Sequence, residues 1–578
     1  MRRSTMAPTL VLATALLLGG WFLQQGVGQE QNVYFQSRIF QEVMDHVADR
    51  YVEPVDRSVL YQSAIDGVLD DLGDPNSSFM DSRSWENFRI RTEGEYGGVG
   101  LEIQDREGWV TVVSPIPGTP GSRAGIRAGD RLFEVDGESM EGWNVNQAVD
   151  ALRGRPGSSV QLRVSRPGVP EPISFTLSRE AIQLRSVPFA QMVEAGVGYV
   201  PLRIFSETSE QEVRQAIQEL KGQGMEGLIL DLRGNLGGLL DQGVAVTDLF
   251  LDSGTSVVET RGRSPDQNST LRTSRPQTYP DLPLVVLIDE TSASASEIVA
   301  GALQDHDRAL VVGATSFGKG SVQTLFRLTG GNVLRLTTAH WYTPAGRSIQ
   351  KPQELQMSLG ERGVLSLTGQ LVERPDTTGK ERVTSMGGRP LLAGGGITPD
   401  LLVMPDTLST GEQGAVRALY QEAGNFNAAL ANFSVRYLQR NPGLNQDFVL
   451  PEAALTEFQA TLVESQVPVD DEVFDGAARF IRHQLEREIG KAEWGDPGEF
   501  RQAAREDRAL RRAVELLREA DTQASLFSLA GRDALRHGEA EGGGEDGEGV
   551  GDRVGAARPG DPTPPRAGRH QVGLRISG

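Results

Sequence analysis

Leu284-Val285-Val286-Leu287-Ile288-Asp289-Glu290-Thr291-Ser292-Ala293-Ser294-Ala295-Ser296-Glu297 passes from a short apolar run, through small residues, into a helical segment that continues to Gln304. A β-branched run of this length bounded by turn formers reads as a buried strand. A serine in the turn that follows is exposed at a strand end, where it is a candidate nucleophile. A second apolar run, Ala309 to Val312, leads into Ser316-Phe317-Gly318-Lys319-Gly320. Only five of the 57 basic residues are lysines. Arginine cannot give up its proton in a protein, whereas a buried lysine can, so an amine that must act as a base has to be lysine. Lys319 is therefore a candidate general base.

Two other readings of these residues fail on chemistry. Gly313 to Gly320 stops one residue short of a phosphate-cradling loop, because Gly320 stands where a serine or threonine must hold magnesium. The segment after it, Ser321 to Leu328, alternates like a strand, and the acids Asp231 and Asp289 precede the loop rather than follow it. Ser316 and Lys319 also fit the S-x-x-K of penicillin-binding enzymes, but neither S-D-N nor K-T-G occurs in the chain. The six histidines form no H-E-x-x-H, so a zinc hydrolase is not indicated and no metal or cofactor is expected.

Further strands at Gly198 to Pro201 and Gly227 to Leu230 alternate with helical segments at Gln211 to Lys221 and Leu239 to Phe250. That order implies an α/β sheet with connecting helices across residues 183–405. Upstream, residues 91–182 place glycine turns between short apolar runs at Val110 to Val113, Arg131 to Val135, Val160 to Val164 and Ile173 to Leu177, with a helix at Val145 to Leu152. Gly97-Gly98-Val99-Gly100-Leu101-Glu102-Ile103, followed by Ala124-Gly125-Ile126-Arg127-Ala128-Gly129-Asp130, resembles a PDZ domain. Such a domain adds a peptide as a strand to a sheet edge and holds its terminal carboxylate on a glycine loop. By this resemblance Gly98, Val99, Gly100 and Leu101 bind the peptide.

The core resembles the carboxyl-terminal processing proteases, also called tail-specific proteases. The resemblance rests on Ser292 to Ile298, Phe317 to Gln323, Asp231-Leu232-Arg233-Gly234-Asn235-Leu236-Gly237-Gly238, Tyr342 to Ile349 and Gly396 to Asp400, and it covers roughly residues 38–405. It implies that Ser294 is the nucleophile, Lys319 the base and Gln323 the residue that orients the lysine. A free lysine is a poor base at neutral pH, so the site must favour the neutral amine by about 4 kcal/mol. Burial can do this, and a neutral amide such as Gln323 directs the amine without restoring its proton. An oxyanion needs backbone donors in a dry site. Ala295, at a helix start, offers one, and the Asn235 to Gly238 loop the other. The family pattern points to Gly237, although Leu236 stands where proline is common. Arg153 matches a position that couples the peptide-binding domain to the protease in relatives. Ser292, Ser296 and Glu297 read as packing, capping or dipole-favoured residues of a helix start, and His306 as a surface or capping residue.

Composition bounds the rest. A net charge of −21 argues against nucleic acid as a partner. The absence of cysteine excludes disulfides and thiol catalysis. Arg2 and Arg3 precede the apolar stretch Ala7 to Leu23, which is a secretory signal or a membrane anchor, with Gly26-Val27-Gly28 as a candidate cleavage site. An extracytoplasmic or periplasmic enzyme held at the cytoplasmic membrane is expected. The fold class is therefore multidomain α/β. Residues 1–30 are the signal or anchor, and 31–90 a helical N-terminal region in which Ile39, Val43 and Val47 share a face. Residues 91–182 form the β-rich α+β PDZ domain, and 183–405 an α/β protease core with an insertion near 350–394 that contains Arg374 to Gly379. Residues 406–530 are a helical C-terminal region that caps the core or mediates dimerisation, and 531–578 a glycine- and glutamate-rich disordered tail. The expected activity is a serine endopeptidase that cuts exported proteins near apolar, unstructured C-terminal tails. A homodimer and a regulatory adaptor are further candidate partners. The competing reading is a catalytically silent peptide-binding adaptor on the same fold.

Overall fold

The computed structural model describes residues 33–541, apart from 107, 128, 167–168, 353–362 and 374–379. Its first elements are α1 (Val33–Arg50), α2 (Arg57–Asp70), β1 (Ser78–Met80) and α3 (Ser82–Glu93). Asp56 and Asp81 cap α2 and α3 by accepting the Ser58 and Ser84 backbone N–H groups at 2.7 Å, which satisfies donors the first helical turn cannot. The face carrying Ile39 and Val43 is exposed, and Met44 is the buried residue of α1. Helix α1 leans on α2, which also packs on β1, and the outer face of α1 is left uncovered.

The next layer is a β-rich unit. It comprises β2 (Glu95–Gly98), β3 (Leu101–Arg106), β4 (Trp109–Pro115), α4 (Pro120–Arg123), β5 (Arg131–Val135), β6 (Glu138–Ser139), α5 (Val145–Leu152), β7 (Ser159–Ser165), β8 (Ile173–Ser178) and β9 (Glu180–Gln183). The sheet order is β3-β4-β5-β7-β8, with β6 on β5, while β2 pairs separately with β9. Val110, Val112, Leu132, Val160, Leu162 and Val164 fill its interior. Asn144 and Gln147 form a capping box at the start of α5. Of these, β4, β5, β7, β8 and α5 are the strands and the helix that the glycine-punctuated pattern predicts.

The core opens with β10 (Gln191–Glu194), β11 (Val197–Pro201), α6 (Ser209–Gly222), β12 (Gly227–Asp231), α7 (Leu240–Asp248), β13 (Ser256–Gly262), β14 (Ser269–Arg272), β15 (Leu284–Ile288), α8 (Ala295–Asp305) and β16 (Leu310–Gly313). It continues through β17 (Ser321–Arg327), β18 (Val333–Tyr342), β19 (Val364–Leu365), β20 (Leu371–Val372), β21 (Glu381–Thr384), β22 (Pro390–Ala393) and β23 (Leu401–Leu402). The central sheet runs β10-β11-β12-β15-β16-β23 and is parallel except for β10. Strands buried on both faces read as continuous apolar runs, as β12 and β15 do. A second sheet joins β17, β18, β13 and β14, and β1 from the N-terminal region adds to it, pairing antiparallel with β18. The insertion forms two hairpins, β19–β20 and β21–β22, and Arg374 to Gly379 lie outside the described residues.

The C-terminal helices are α9 (Thr410–Leu419), α10 (Ala423–Arg440), α11 (Glu452–Glu464), α12 (Asp471–Trp494), α13 (Asp496–Ala503), α14 (Arg508–Glu519) and α15 (Gln523–Glu541). Phe426, Phe433, Phe458 and Phe480 give them a core of their own. Leu510, Ala513, Leu516 and Leu517 of α14 pack on the sheet face formed by Tyr199, Ile229, Val285 and Leu287. Helices α6 to α8 cover the opposite face. The C-terminal region thus supplies the third layer of the core. The last helix continues past Ala530 to Glu541, beyond the expected start of the tail. Residues 1–32, with the Ala7 to Leu23 stretch, and 542–578 lie outside the described residues. Among the described residues no helix is long and apolar enough to cross a membrane.

Candidate active site

In an open α/β sheet the loops leaving the carboxyl ends of the strands converge, so ligands gather there. β12, β15 and β16 end in the three loops that carry Gly237, Ser294 and Lys319. The first loop is pinned from both sides. Asp231 is buried and receives Arg233 Nη2 at 2.7 Å. The same guanidinium reaches Asp507, the cap of α14, also at 2.7 Å. Asn235 is fully buried. Its Nδ2 donates to Leu202 O at 2.8 Å, and its carbonyl accepts Ala293 N at 3.0 Å and Ser296 Oγ at 2.9 Å. The hydroxyls of Ser292 and Ser296 therefore tie the Ser294 turn to the preceding loop; Ser292 Oγ donates to Leu232 O at 2.9 Å.

Ser294 has φ 56° and ψ −113°. A β-carbon residue rarely holds a positive φ, and such strain persists only where the surroundings over-determine it, at a cost of roughly 1–3 kcal/mol. The turn lifts Ser294 out of the strand-to-helix path and leaves it half-buried. Ala295 N–H opens α8, has no acceptor within the helix, and finds no partner among the described residues. Gly237 keeps the space beside it empty: a β-carbon there would stand 2.8 Å from Ser294 Cβ and 3.0 Å from Ala295 N. The Gly237 N–H itself donates to Asn235 Oδ1 at 2.8 Å, so it is engaged rather than free.

Glu297 organises the site, although its sequence position reads as an ordinary helix-start acid. It is fully buried. Its Oε2 accepts Ser294 N at 2.8 Å and Lys319 N at 3.0 Å, and its Oε1 accepts Gly318 N at 2.7 Å and Ser316 Oγ at 2.6 Å. Ser316 Oγ also accepts Ile397 N at 2.6 Å, which fixes the hydroxyl as a donor to Glu297 and removes it from nucleophilic use. One carboxylate thus holds the Ser294 loop and the Lys319 loop together. Burial pushes the Glu297 carboxyl up to about 7, against the pull of these four donors.

Lys319 is half-buried. Burial and the Arg335 guanidinium lower its pKa, while Glu297 and Asp74 oppose that shift. Its carbonyl accepts Trp341 Nε1 at 3.1 Å, which anchors the loop from β18. No hydrogen bond joins its amine to Ser294 Oγ; catalytic contacts often close only when substrate is bound. Gln323 does not reach the amine either. Its Nε2 donates to Ser321 Oγ at 2.9 Å and Thr337 Oγ1 at 3.4 Å. Ser321 to Arg327 is a strand, as its alternation predicts, and no helix follows the Gly313 to Gly320 loop. His306 caps α8, with Nε2 2.8 Å from Ser256 O.

The glycine loop of the β-rich unit has the geometry of an anion cradle. The carbonyls of Val99 and Gly100 are taken inward by Gly121 N at 2.8 Å and Ile116 N at 3.0 Å. A trans peptide points its N–H opposite to its C=O, so the Gly100 and Leu101 amides face outward. Thr119 fills the space where a Gly100 β-carbon would sit, and Gly100 has φ 72°. Beside this loop β3 and α5 border a cavity of about 540 Å³, lined by Leu101, Ile103, Ile116, Val145 and Val149. Arg153 does not turn to the protease core. Its Nη1 donates to Asn87 Oδ1 of α3 at 2.7 Å, and its guanidinium lies 5.2 Å from the Tyr96 ring centre.

Residues 196–356 match Peptidase family S41, residues 111–166 a PDZ domain, and residues 23–84 the N-terminal domain of the activating protease CtpB. The chain is 43% identical over 327 residues to a carboxy-terminal-processing protease of Bartonella bacilliformis, covering 56% of this chain and 74% of that one. It is 33% identical over 345 residues to carboxy-terminal processing protease CtpA of Bacillus subtilis, covering 59% and 73%. Among solved structures it is similar to a photosystem II D1 C-terminal processing protease, at 29% identity and a TM-score of 0.34, covering 68% of this chain and 92% of that one. A PDZ domain inserted ahead of an S41 core, with relatives matched across about three quarters of their length, makes this chain a member of the carboxy-terminal processing protease family.

Proposed function

We propose that the chain is a serine endopeptidase in which Ser294 is the nucleophile and Lys319 the general base. The observation that carries this reading is the shared Glu297 carboxylate, which grips the Ser294 and Lys319 backbone amides and sets the two loops face to face. The neutral Lys319 amine takes the Ser294 hydroxyl proton as Oγ attacks the substrate carbonyl carbon. The resulting oxyanion faces Ala295 N–H and the space left by Gly237. Gly237 N–H becomes a second donor once Asn235 Oδ1 releases it. The ammonium then protonates the leaving amine, and the acyl-enzyme is hydrolysed by a water that the same amine activates. Gln323 orients the lysine through a rotamer change from its present partners, Ser321 and Thr337.

Substrate arrives as a free C-terminal tail. Its backbone adds to the edge of β3 and its carboxylate meets the Gly98 to Leu101 loop, while alternate side chains enter the apolar cavity beside Val145 and Val149. Val145 and Val149 favour apolar tails. The basic and apolar N-terminal stretch supports export, with the enzyme held at the membrane by Ala7 to Leu23.

The test uses the full-length chain and an unfolded reporter ending in apolar residues. Ser294→Ala and Lys319→Ala should each lower cleavage by at least about 10³-fold, as loss of a nucleophile or its base does. A fluorophosphonate should label wild type on the peptide containing Ser294. Cleavage by Ser294→Ala at the wild-type rate would end the assignment.

A further inference from the structure

The peptide groove has a wall that does not belong to the PDZ domain. Helix α3 precedes that domain, yet Arg83, Asn87 and Ile90 line the same cavity as Leu101 and Val149. They stand at one end of it. The end of α5 meets the glycine loop directly, because Gly154 N donates to Gly97 O at 3.0 Å. A β-carbon at Gly98 would lie 3.8 Å from Leu152 O. Arg153 thus sits beside the loop proposed to receive the carboxylate, and α3 is attached at that same end. Arg83 Nη2 pairs with Asp150 at 3.0 Å, and Asn87 Oδ1 accepts Arg153 Nη1.

The charge at this end favours an anion. The acids near it are engaged: Asp150 by Arg83, Glu86 by Arg89, Glu102 by Ser114, and Glu180, which pairs with Gly98, by Arg123. Arg83 uses one nitrogen on Asp150 and Arg153 one on Asn87, and a guanidinium carries five N–H donors. Both retain donors that can turn toward a carboxylate. The Arg153 ring contact with Tyr96 and its bond to Asn87 hold its guanidinium at the loop, which lowers the ordering cost of such a contact.

We infer that α3 completes the carboxylate end of the peptide site, with Arg83 and the Asn87–Arg153 pair selecting a free C-terminus over a blocked or internal one. The inference rests on the reading of the groove as the tail-binding site. It makes residues 82–182, rather than the PDZ domain alone, the recognition unit.

Fluorescence anisotropy with the full-length Ser294→Ala chain tests this without cleavage, using a labelled heptapeptide ending Ala-Leu-Ala as the free acid and as its C-terminal amide. Arg83→Ala should weaken the acid about 5- to 10-fold and leave the amide unchanged, the size of one lost charge-assisted contact at a rim. Arg83→Lys should recover part of the loss, and Asn87→Ala should show the same acid-only defect through Arg153. Equal weakening of acid and amide would mean that α3 merely supports the domain, and no change would mean that it is not part of the site; either overturns the inference. If the Ser294→Ala chain itself binds acid and amide equally, the groove reading fails, a result distinct from a failure of α3.

Discussion

Two loops in this molecule are proposed to turn backbone amides toward an oxygen that carries negative charge, and they are secured in opposite ways. At the Ser294 turn a fully buried carboxylate, Glu297, takes four donors from two loops of the chain. At the peptide groove the flanking ties are arginines on the rim: the side chain of Arg83 is 74% exposed and that of its partner Asp150 47%. A buried carboxylate that loses its match leaves donors with no water to replace it, whereas an exposed pair that breaks is resolvated at small cost. The two loops also have different tasks. An oxyanion exists only in passing; of its two proposed donors Ala295 N–H already has no other partner among the described residues, whereas Gly237 N–H must first leave Asn235 Oδ1. A protein tail binds and leaves as an equilibrium ligand. The catalytic turn should therefore respond to mutation nearly all-or-none, and the groove in graded steps.

The sharpest challenge to that contrast is Glu297→Gln. The amide keeps the shape but aims an NH₂ at N–H or O–H donors, leaving buried groups unpaired at about 1–3 kcal/mol each. Turnover of the unfolded reporter should fall about 10²- to 10³-fold with KM little altered, because tail binding lies elsewhere. A variant that retains most of its kcat would show that the two loops are held by other contacts. Gly237→Ala ranks next. The new methyl would press on Ala293 O and Ser294 Cβ at 2.8 Å, at a residue with φ 97°. It would also fill the space in front of Ala295 N–H. A loss of about 10²-fold in kcat is expected, comparable with removing one oxyanion donor. Fluorophosphonate labelling of the same variant should slow in parallel, since its adduct needs the same space. Normal labelling would place the oxyanion somewhere else.

The sequence discloses what local pattern can encode. The apolar runs of β12, β15 and β16, the helices between them and the glycine-punctuated β-rich unit follow from periodicity, and the strand after Gly320 follows from alternation. What escapes is whatever depends on a segment returning from far away. Glu297 looks like a dipole-favoured acid because its burial is created by residues 316–319, one strand later. Arg153 is matched to interdomain coupling by resemblance, and no local pattern shows that its side chain meets Asn87 of α3. Leu510 and Leu517 mark an amphipathic helix without revealing that its partner is the sheet face of Val285 and Leu287. Ile39 and Val43 show the converse, since a periodic apolar face is not proof that the same chain covers it. Gln323 occupies the expected position, but its amide is held by neighbours whose hydroxyls no motif reports.

The smallest expected effect probes the ground between the two regions. β1 is the link: Ser78 pairs with Arg335 on β18, and Ser77 Oγ accepts Thr337 N at 3.0 Å. This brings Asp74, whose carboxylate accepts Ser77 Oγ at 2.6 Å, toward Lys319. The charged groups facing the amine are then Arg335, Glu297 and Asp74, the first favouring loss of its proton and the other two resisting it. In the proposed dyad only the neutral amine is a base, so kcat/KM should rise with pH through the lysine pKa. Replacing Arg335 by Gln removes the repulsion, raises that pKa and moves the rising limb to higher pH. Asp74→Asn removes an attraction and moves the limb to lower pH. The plateau rates should change little, because neither side chain touches the reacting atoms. Opposite displacements would tie the N-terminal strand to the basicity of the lysine; limbs that stay together, or move in the same direction, would show that burial alone sets it.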